Sequence, residues 1–231
     1  AEKGGHETFM LKEIYEQPDA VAETIGDRVR HGRLELDGLL DDEALKVLRR
    51  IVILSAGTSY HAAVAGRYAI EEWARVPVEH DIASEWIYRN PVLDASTLVI
   101  GISQSGETRD TIAGMKLARE MGARTVAITN MMGSQITREV DSVLFTRAGL
   151  EVSVAASKTF TAQLSLLFLV GSLGLGIFPP LLRAVRGLMY NSPEERTLLQ
   201  AVAGTDAVPG VVVGVGSEVP AATSAARFRQ R

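Results

Sequence analysis

The sequence predicts a doubly wound α/β protein: a three-layer αβα sandwich around a mainly parallel five-stranded sheet, preceded by a helical leader. Three observations predict it. Short, unbroken apolar runs recur along the chain, segments with helical spacing separate them, and 46% hydrophobic against 23% charged residues is a globular balance over 231 residues. Strands buried on both faces read as continuous apolar runs, and their alternation with helices implies βαβ units.

Taken in order, residues 1–44 form the leader. Phe9–Tyr15 and Ala20–Val29 carry apolar residues at helical spacing, broken by Pro18 and by a turn at His31–Gly32. Ile51-Val52-Ile53-Leu54-Ser55 is the first strand, and it runs into Ala56-Gly57-Thr58-Ser59 before a helix over Tyr60–Trp73. Val76–Ile82 is a weaker second strand. The third, Thr97–Ile102, leads into Ser103-Gln104-Ser105-Gly106-Glu107-Thr108 and then an amphipathic helix over Asp110–Met121, with Ile112, Met115 and Leu117 on its apolar face. Thr125–Thr129 and Ser142–Thr146 supply the fourth and fifth strands. This domain is expected over residues 45–180. Residues 181–231 read as a helical linker over Arg183–Ala203, with Ser192-Pro193-Glu194-Glu195 as a helix start. A strand from Val211 to the turn Gly214-Val215-Gly216 and a helix over Pro220–Arg231 follow, the start of a second unit that stops short.

Composition removes several function classes. A net charge of −4 provides no basic field for nucleic acid or anionic lipid. The absence of cysteine excludes disulfides, thiolate metal sites and cysteine nucleophiles, and four histidines leave little for a metal centre. Residues 1–10 are too polar for a secretory signal. Thr159–Leu182 carries no charge over a span long enough for a bilayer, but Thr159, Thr161, Gln163, Ser165, Ser172 and Pro179–Pro180 interrupt it. A helix buried in a core or subunit interface is expected instead. The expectation is therefore a soluble, cytoplasmic homodimer with no membrane or nucleic-acid partner.

Ligands of doubly wound sheets bind beyond the carboxyl ends of the strands, where strand order reverses. In a flavodoxin-like order that point lies between the first and third strands, and the two most hydroxyl-rich turns follow those two strands. Thr58, Ser59, Ser103, Ser105 and Thr108 offer hydroxyls and Gln104 an amide. Each turn opens a helix, whose N-terminus presents unpaired N–H groups and a partial positive charge. Such an arrangement suits a phosphate monoester without lysine or arginine. The plainer alternative is that Ser105 and Thr108 only cap a helix. No G-x-x-x-x-G-K-[ST] pattern is present and Gly214-Val215-Gly216 lacks a third glycine, so no nucleotide is expected, and the absence of a G-x-S-x-G elbow around Ser59, Ser103 or Ser105 argues against an α/β-hydrolase. Lys158 opposes the dipole of the helix it opens, a cost that an anion or Glu151 relieves unless the lysine is simply solvated. His61 falls on a helix surface, and His6, His31 and His80 read as surface histidines.

Four stretches carry a resemblance. Met10-Leu11-Lys12-Glu13-Ile14-Tyr15-Glu16-Gln17-Pro18, Gly57-Thr58-Ser59-Tyr60, Ser103-Gln104-Ser105-Gly106-Glu107-Thr108 and Val154-Ala155-Ala156-Ser157-Lys158-Thr159-Phe160-Thr161-Ala162-Gln163 occur in that order. Over about residues 5–170 the chain resembles the isomerase part of the glucosamine-6-phosphate synthases, or glutamine–fructose-6-phosphate aminotransferases: a leader plus a first sugar-isomerase (SIS) domain. The resemblance implies that Thr58, Ser59, Ser103, Gln104, Ser105 and Thr108 hold a sugar phosphate, fructose 6-phosphate or glucosamine 6-phosphate. It also implies that Gly57, Val154 and Ala156 line the sugar, with serine common in the family at position 156.

That family needs no metal or organic cofactor, and its catalytic glutamate, histidine and lysine lie in a second SIS domain and tail. This chain reads Ala226-Arg227-Phe228-Arg229-Gln230-Arg231 where the glutamate is expected. Arg231 stands in its place and cannot act as a base. No catalytic residue is therefore expected, and neither is the family's glutaminase domain. The resemblance implies phosphosugar binding in hexosamine biosynthesis. The alternatives are a stand-alone SIS isomerase, assembled as an oligomer with His61 or Glu151 as base, and a non-catalytic phosphosugar sensor.

Overall fold

Two short helices open the chain in the computed structural model, which describes residues 2–26, 28–30, 33–34, 36, 39, 47–173, 188–190 and 210–212. Thr8 caps α1 (Phe9–Tyr15), its hydroxyl accepting the Leu11 N–H at 3.1 Å. Pro18 lies in the first turn of α2 (Gln17–Ile25), where its missing N–H has no helical partner to lose. The residue expected to break the leader thus starts a helix. The expected helix over Ala20–Val29 stops at Ile25, because Val29–Arg30 (β1) pairs antiparallel with Arg33–Leu34 (β2). The turn expected at His31–Gly32 lies outside the described residues.

The sheet follows. Its elements are β3 (Arg50–Ser55), α3 (Gly57–Ala74), β4 (Val78–Ile82), α4 (Ala83–Trp86), β5 (Thr97–Ile102), α5 (Arg109–Glu120), β6 (Arg124–Thr129), a 3-10 turn at Gln135–Arg138, β7 (Ser142–Phe145) and α6 (Lys158–Leu173). All five strands are parallel in the order β4-β3-β5-β6-β7. The chain moves outward from β3 to β4, then returns to place β5 on the other side of β3. Strand order reverses between β3 and β5, as the flavodoxin-like reading expects.

Burial explains why these runs are strands. β5 is buried throughout and β3 at all but its first residue. One face contributes Val52, Leu54, Val99 and Ala127, packed with Trp86, Ile112 and Met115. Strand alternation sends Ile51, Ile53, Ile100 and Ile128 to the other face, towards α3 and α6. Each such side chain contributes about 1.5–3 kcal/mol when fully buried. Helices α3 and α6 meet closely, since a Cβ at Gly66 would lie 2.6 Å from Leu167 Cδ1. Ala162, Leu166, Leu167, Leu169 and Val170 of α6 are buried within the chain itself. This part of the apolar run is therefore covered within the chain, the core alternative of the two expected. Among the described residues no helix is long and apolar enough to cross a membrane.

The chain divides into two units, residues 1–178 and 179–231. In the second, β8 (Leu188–Tyr190) pairs parallel with β9 (Gly210–Val212). β8 falls where a helix was expected, and β9 overlaps the start of the expected strand. Gly214–Gly216 and Pro220–Arg231 lie outside the described residues.

Candidate functional site

Between the carboxyl ends of β3 and β5 a cavity of about 170 Å3 opens. Ala56, Thr58 and Ser59 line it from the mouth of α3, and Ser103, Gln104, Ser105 and Thr108 from the turn before α5. Glu151, Ser153, Val154 and Ala156 complete it from the loop preceding α6. Eight of the nine residues singled out from the sequence meet there. Gly57, expected beside the sugar, does not line the cavity; at φ +57° it makes the turn between two residues that do.

The second turn is internally braced. Ser103 Oγ accepts the Gly106 N–H at 3.0 Å and shares a hydrogen bond with Thr108 Oγ1 at 2.8 Å. The Gln104 carbonyl accepts from Asn130 N–H at 3.0 Å, and the Gly106 carbonyl from Ile136 N–H at 3.0 Å. Gly106 adopts φ +67°, and an added Cβ would lie 2.0 Å from Ser134 Oγ, so conformation and space both require glycine. Thr108 occupies the N-cap position of α5 yet makes no capping hydrogen bond. Ser105 Oγ accepts the Glu107 N–H at 3.2 Å, a bond local to the turn. The plain capping role is therefore not what these hydroxyls perform. At α3 the N-cap is Ala56, whose side chain has nothing to cap with. Both helices present N-termini without side-chain caps at one cavity.

The ionisable residues fall differently from expectation. Glu151 accepts the N–H groups of Ser157 at 2.7 Å and Lys158 at 3.0 Å, and the Thr159 hydroxyl. It caps α6, the relief of the dipole that the sequence allowed. Lys158 is neither solvated nor turned to a ligand: 4% exposed, it places Nζ 2.7 Å from Glu16 Oε2. That hydrogen bond holds the Glu16 carboxyl below its ordinary range. His61 is exposed, edge-on to Tyr60, and does not line the cavity. His80 is not a plain surface histidine. It packs against the Tyr60 ring with Nδ1 3.4 Å from Arg67, and burial, then the Arg67 charge, push its pKa below 6.5 against Asp81 and Glu71. His31 lies outside the described residues. Among the described residues no cluster of acidic and histidine side chains suits a metal ion.

Sequence reasoning missed one group. Glu13 of α1, 2% exposed, accepts the N–H of Val152 at 2.6 Å and of Ser153 at 3.3 Å. On a polar leader it reads as a surface acid, and only its place in the Lys-Glu-Ile-Tyr-Glu-Gln-Pro motif singled it out.

A model of the SIS domain matches residues 44–171. The chain belongs to the SIS domain family. Across its whole length it is 46% identical to a glutamine–fructose-6-phosphate aminotransferase [isomerizing] of Mycobacterium leprae, covering 35% of that protein. Over 74% of its length it is 50% identical to the protein of the same name from Caldanaerobacter subterraneus subsp. tengcongensis, covering 28% of it. The SIS fold superposes on the C-terminal domain of glucosamine-fructose-6-phosphate aminotransferase from Francisella tularensis with a TM-score of 0.72. That likeness has 34% identity over 87% of this chain and 54% of the other. The chain thus spans about a third of the length of the curated relatives it matches.

Proposed function

We propose that this SIS domain binds the phosphate of a hexose 6-phosphate, fructose 6-phosphate or glucosamine 6-phosphate, within hexosamine biosynthesis. The observation that carries this reading is the convergence of two uncapped helix mouths and the hydroxyls of Thr58, Ser59, Ser103, Ser105 and Thr108 on one cavity. Each helix N-terminus offers N–H donors and about half a positive charge, and hydroxyls rotate to donate. A dianionic phosphate is the ligand that uses them all at once. Val154 and Ala156, on the opposite wall, then face the sugar. Similarity to proteins named as fructose-6-phosphate aminotransferases supports the hexose and the 6-position.

The described residues support binding and not proton transfer. Glu151, the one carboxylate lining the cavity, is engaged by the N-terminus of α6. Holding and orienting the phosphate end is the part these residues perform. A proton shuttle on the sugar carbons belongs to groups other than these.

Thermal unfolding tests the reading. Fructose 6-phosphate at about a hundred times its Kd should stabilise the protein by about 2.7 kcal/mol, or about 5–11 °C at this size. Free fructose should not, and equal stabilisation by both rejects the phosphate site. Ser105→Ala should weaken binding about tenfold through loss of a hydrogen bond to a charged group. Unchanged affinity moves the site elsewhere.

A further inference from the structure

We propose that Glu13 of the leader is a positioning residue that sets the sugar-side wall of the cavity, a role that rests on the phosphosugar reading above. The wall is the loop between β7 and α6, whose Ser153, Val154 and Ala156 line the cavity. This loop has little packing of its own. The Val154 side chain is fully exposed, and Leu150 and Val152 are 63% and 47% exposed. Asn130 holds its start, accepting the Ala148 N–H at 2.9 Å and donating to the Gly149 carbonyl at 2.6 Å, and two carboxylates hold the stretch that lines the cavity. Glu151 ties its far end to the first turn of α6, and Glu13 accepts the backbone N–H groups of Val152 and Ser153. A buried carboxylate is retained only where donors satisfy it, and the donors of Glu13 are this loop.

The leader is also docked by residues other than Glu13. Glu16 pairs with Lys158 at 2.7 Å, and the Thr161 hydroxyl donates to Gln17 Oε1 at 2.6 Å. The Thr24 hydroxyl reaches the Thr146 carbonyl, and Arg28 the Phe145 carbonyl at 2.6 Å. With the leader anchored independently, the bonds of Glu13 act on the wall. The phosphate cradle stands on β3, β5 and their turns, elements whose hydrogen bonds do not involve Glu13. Sugar recognition and phosphate recognition should therefore separate when Glu13 is changed.

Calorimetric titration of the wild type, Glu13→Ala and Glu13→Gln with fructose 6-phosphate and with inorganic phosphate tests this. Glu13→Ala is expected to weaken fructose 6-phosphate about tenfold, the scale of a lost charged hydrogen bond, and to leave inorganic phosphate unchanged. Glu13→Gln keeps an acceptor for the Val152 N–H and should recover most of the loss. Wild-type affinity for the hexose phosphate in Glu13→Ala, or an equal loss for both ligands, overturns the role. Amide exchange in the wild type tests the geometry without any variant: Val152 and Ser153 should exchange slowly, and fast exchange at both overturns it. A wild type that binds neither ligand refutes the phosphosugar reading and this role with it, whereas one that binds both beside an insensitive Glu13→Ala refutes the role alone.

Discussion

Gly106→Ala probes the tightest point of the site. Alanine in the left-handed region occupied at φ +67° costs about 1–2 kcal/mol. Its Cβ would also lie 2.0 Å from Ser134 Oγ, 2.5 Å from Ser134 Cβ and 2.9 Å from Thr129 Oγ1. Ser134 has little freedom to retreat, being 7% exposed with its hydroxyl donating to the Met131 carbonyl at 2.8 Å. Overpacking of this kind adds about 1–3 kcal/mol. The combined loss of about 3 kcal/mol should lower Tm by about 6–12 °C for a chain of this size. Hexose phosphate affinity should fall as well, because the Gly106 N–H braces Ser103 Oγ and its carbonyl holds Ile136. Urea and thermal unfolding supply the stability, and a second change apportions it. Ser134→Gly in the Gly106→Ala background removes the clash with Ser134 but neither the 2.9 Å approach to Thr129 Oγ1 nor the backbone cost, so the cycle should show a coupling of about 1–2 kcal/mol. A single substitution that costs less than about 0.5 kcal/mol, within the range of ordinary surface changes, refutes the claim that this turn is conformationally fixed.

Two further outcomes follow. Glu16→Gln leaves the buried Lys158 ammonium without its countercharge and should cost about 1–2 kcal/mol, since Glu16 is itself one-third exposed. Because Lys158 lowers the Glu16 pKa from 4.5, this contribution is complete above pH 4.5 and is lost as pH falls through the lowered value. Urea midpoints of wild type and variant should therefore converge in acid, and a constant gap would contradict the pairing. Ala56→Asp gives α3 the cap it lacks, on a residue already extended at φ −140° and ψ 162°. It should raise stability by about 1 kcal/mol while abolishing hexose phosphate binding, and retained affinity would show that the mouth of α3 is not the anion site.

The sheet was legible because its strands are buried on both faces, so Ile51–Leu54 and Thr97–Ile102 stand out as apolar runs. The cavity that gathers the candidate residues was legible for a related reason. Topology confines ligands to the turns after β3 and β5, and those turns carry the hydroxyls. The leader was read less well. Strands of two residues, Val29–Arg30 and Arg33–Leu34, are too short to show a period of two, and Pro18 can end one helix or begin another. The burial of Glu13 and Lys158 was not legible at all. Their burial depends on partners 139 and 142 residues away, and no local pattern distinguishes such a carboxylate or ammonium from a solvated one.

Acids near this cavity do not argue against an anion in it. Glu151 is spent on the N–H groups that open α6, Glu13 on Val152 and Ser153, and Glu107 on the Gln135 N–H at 2.8 Å. Each accepts from backbone donors that are thereby closed to a ligand. Lys158, the one cation at the start of α6, is matched by Glu16. What remains unbalanced is the pair of N-termini at α3 and α5, where Ala56 has no capping group and Thr108 turns its hydroxyl to Ser103. Asp110, in the first turn of α5, is exposed and lines no part of the cavity. The two helix mouths without side-chain caps thus fall on the two turns that line the cavity, and the oxyanion selectivity proposed above would follow from which helix mouths the acids leave open.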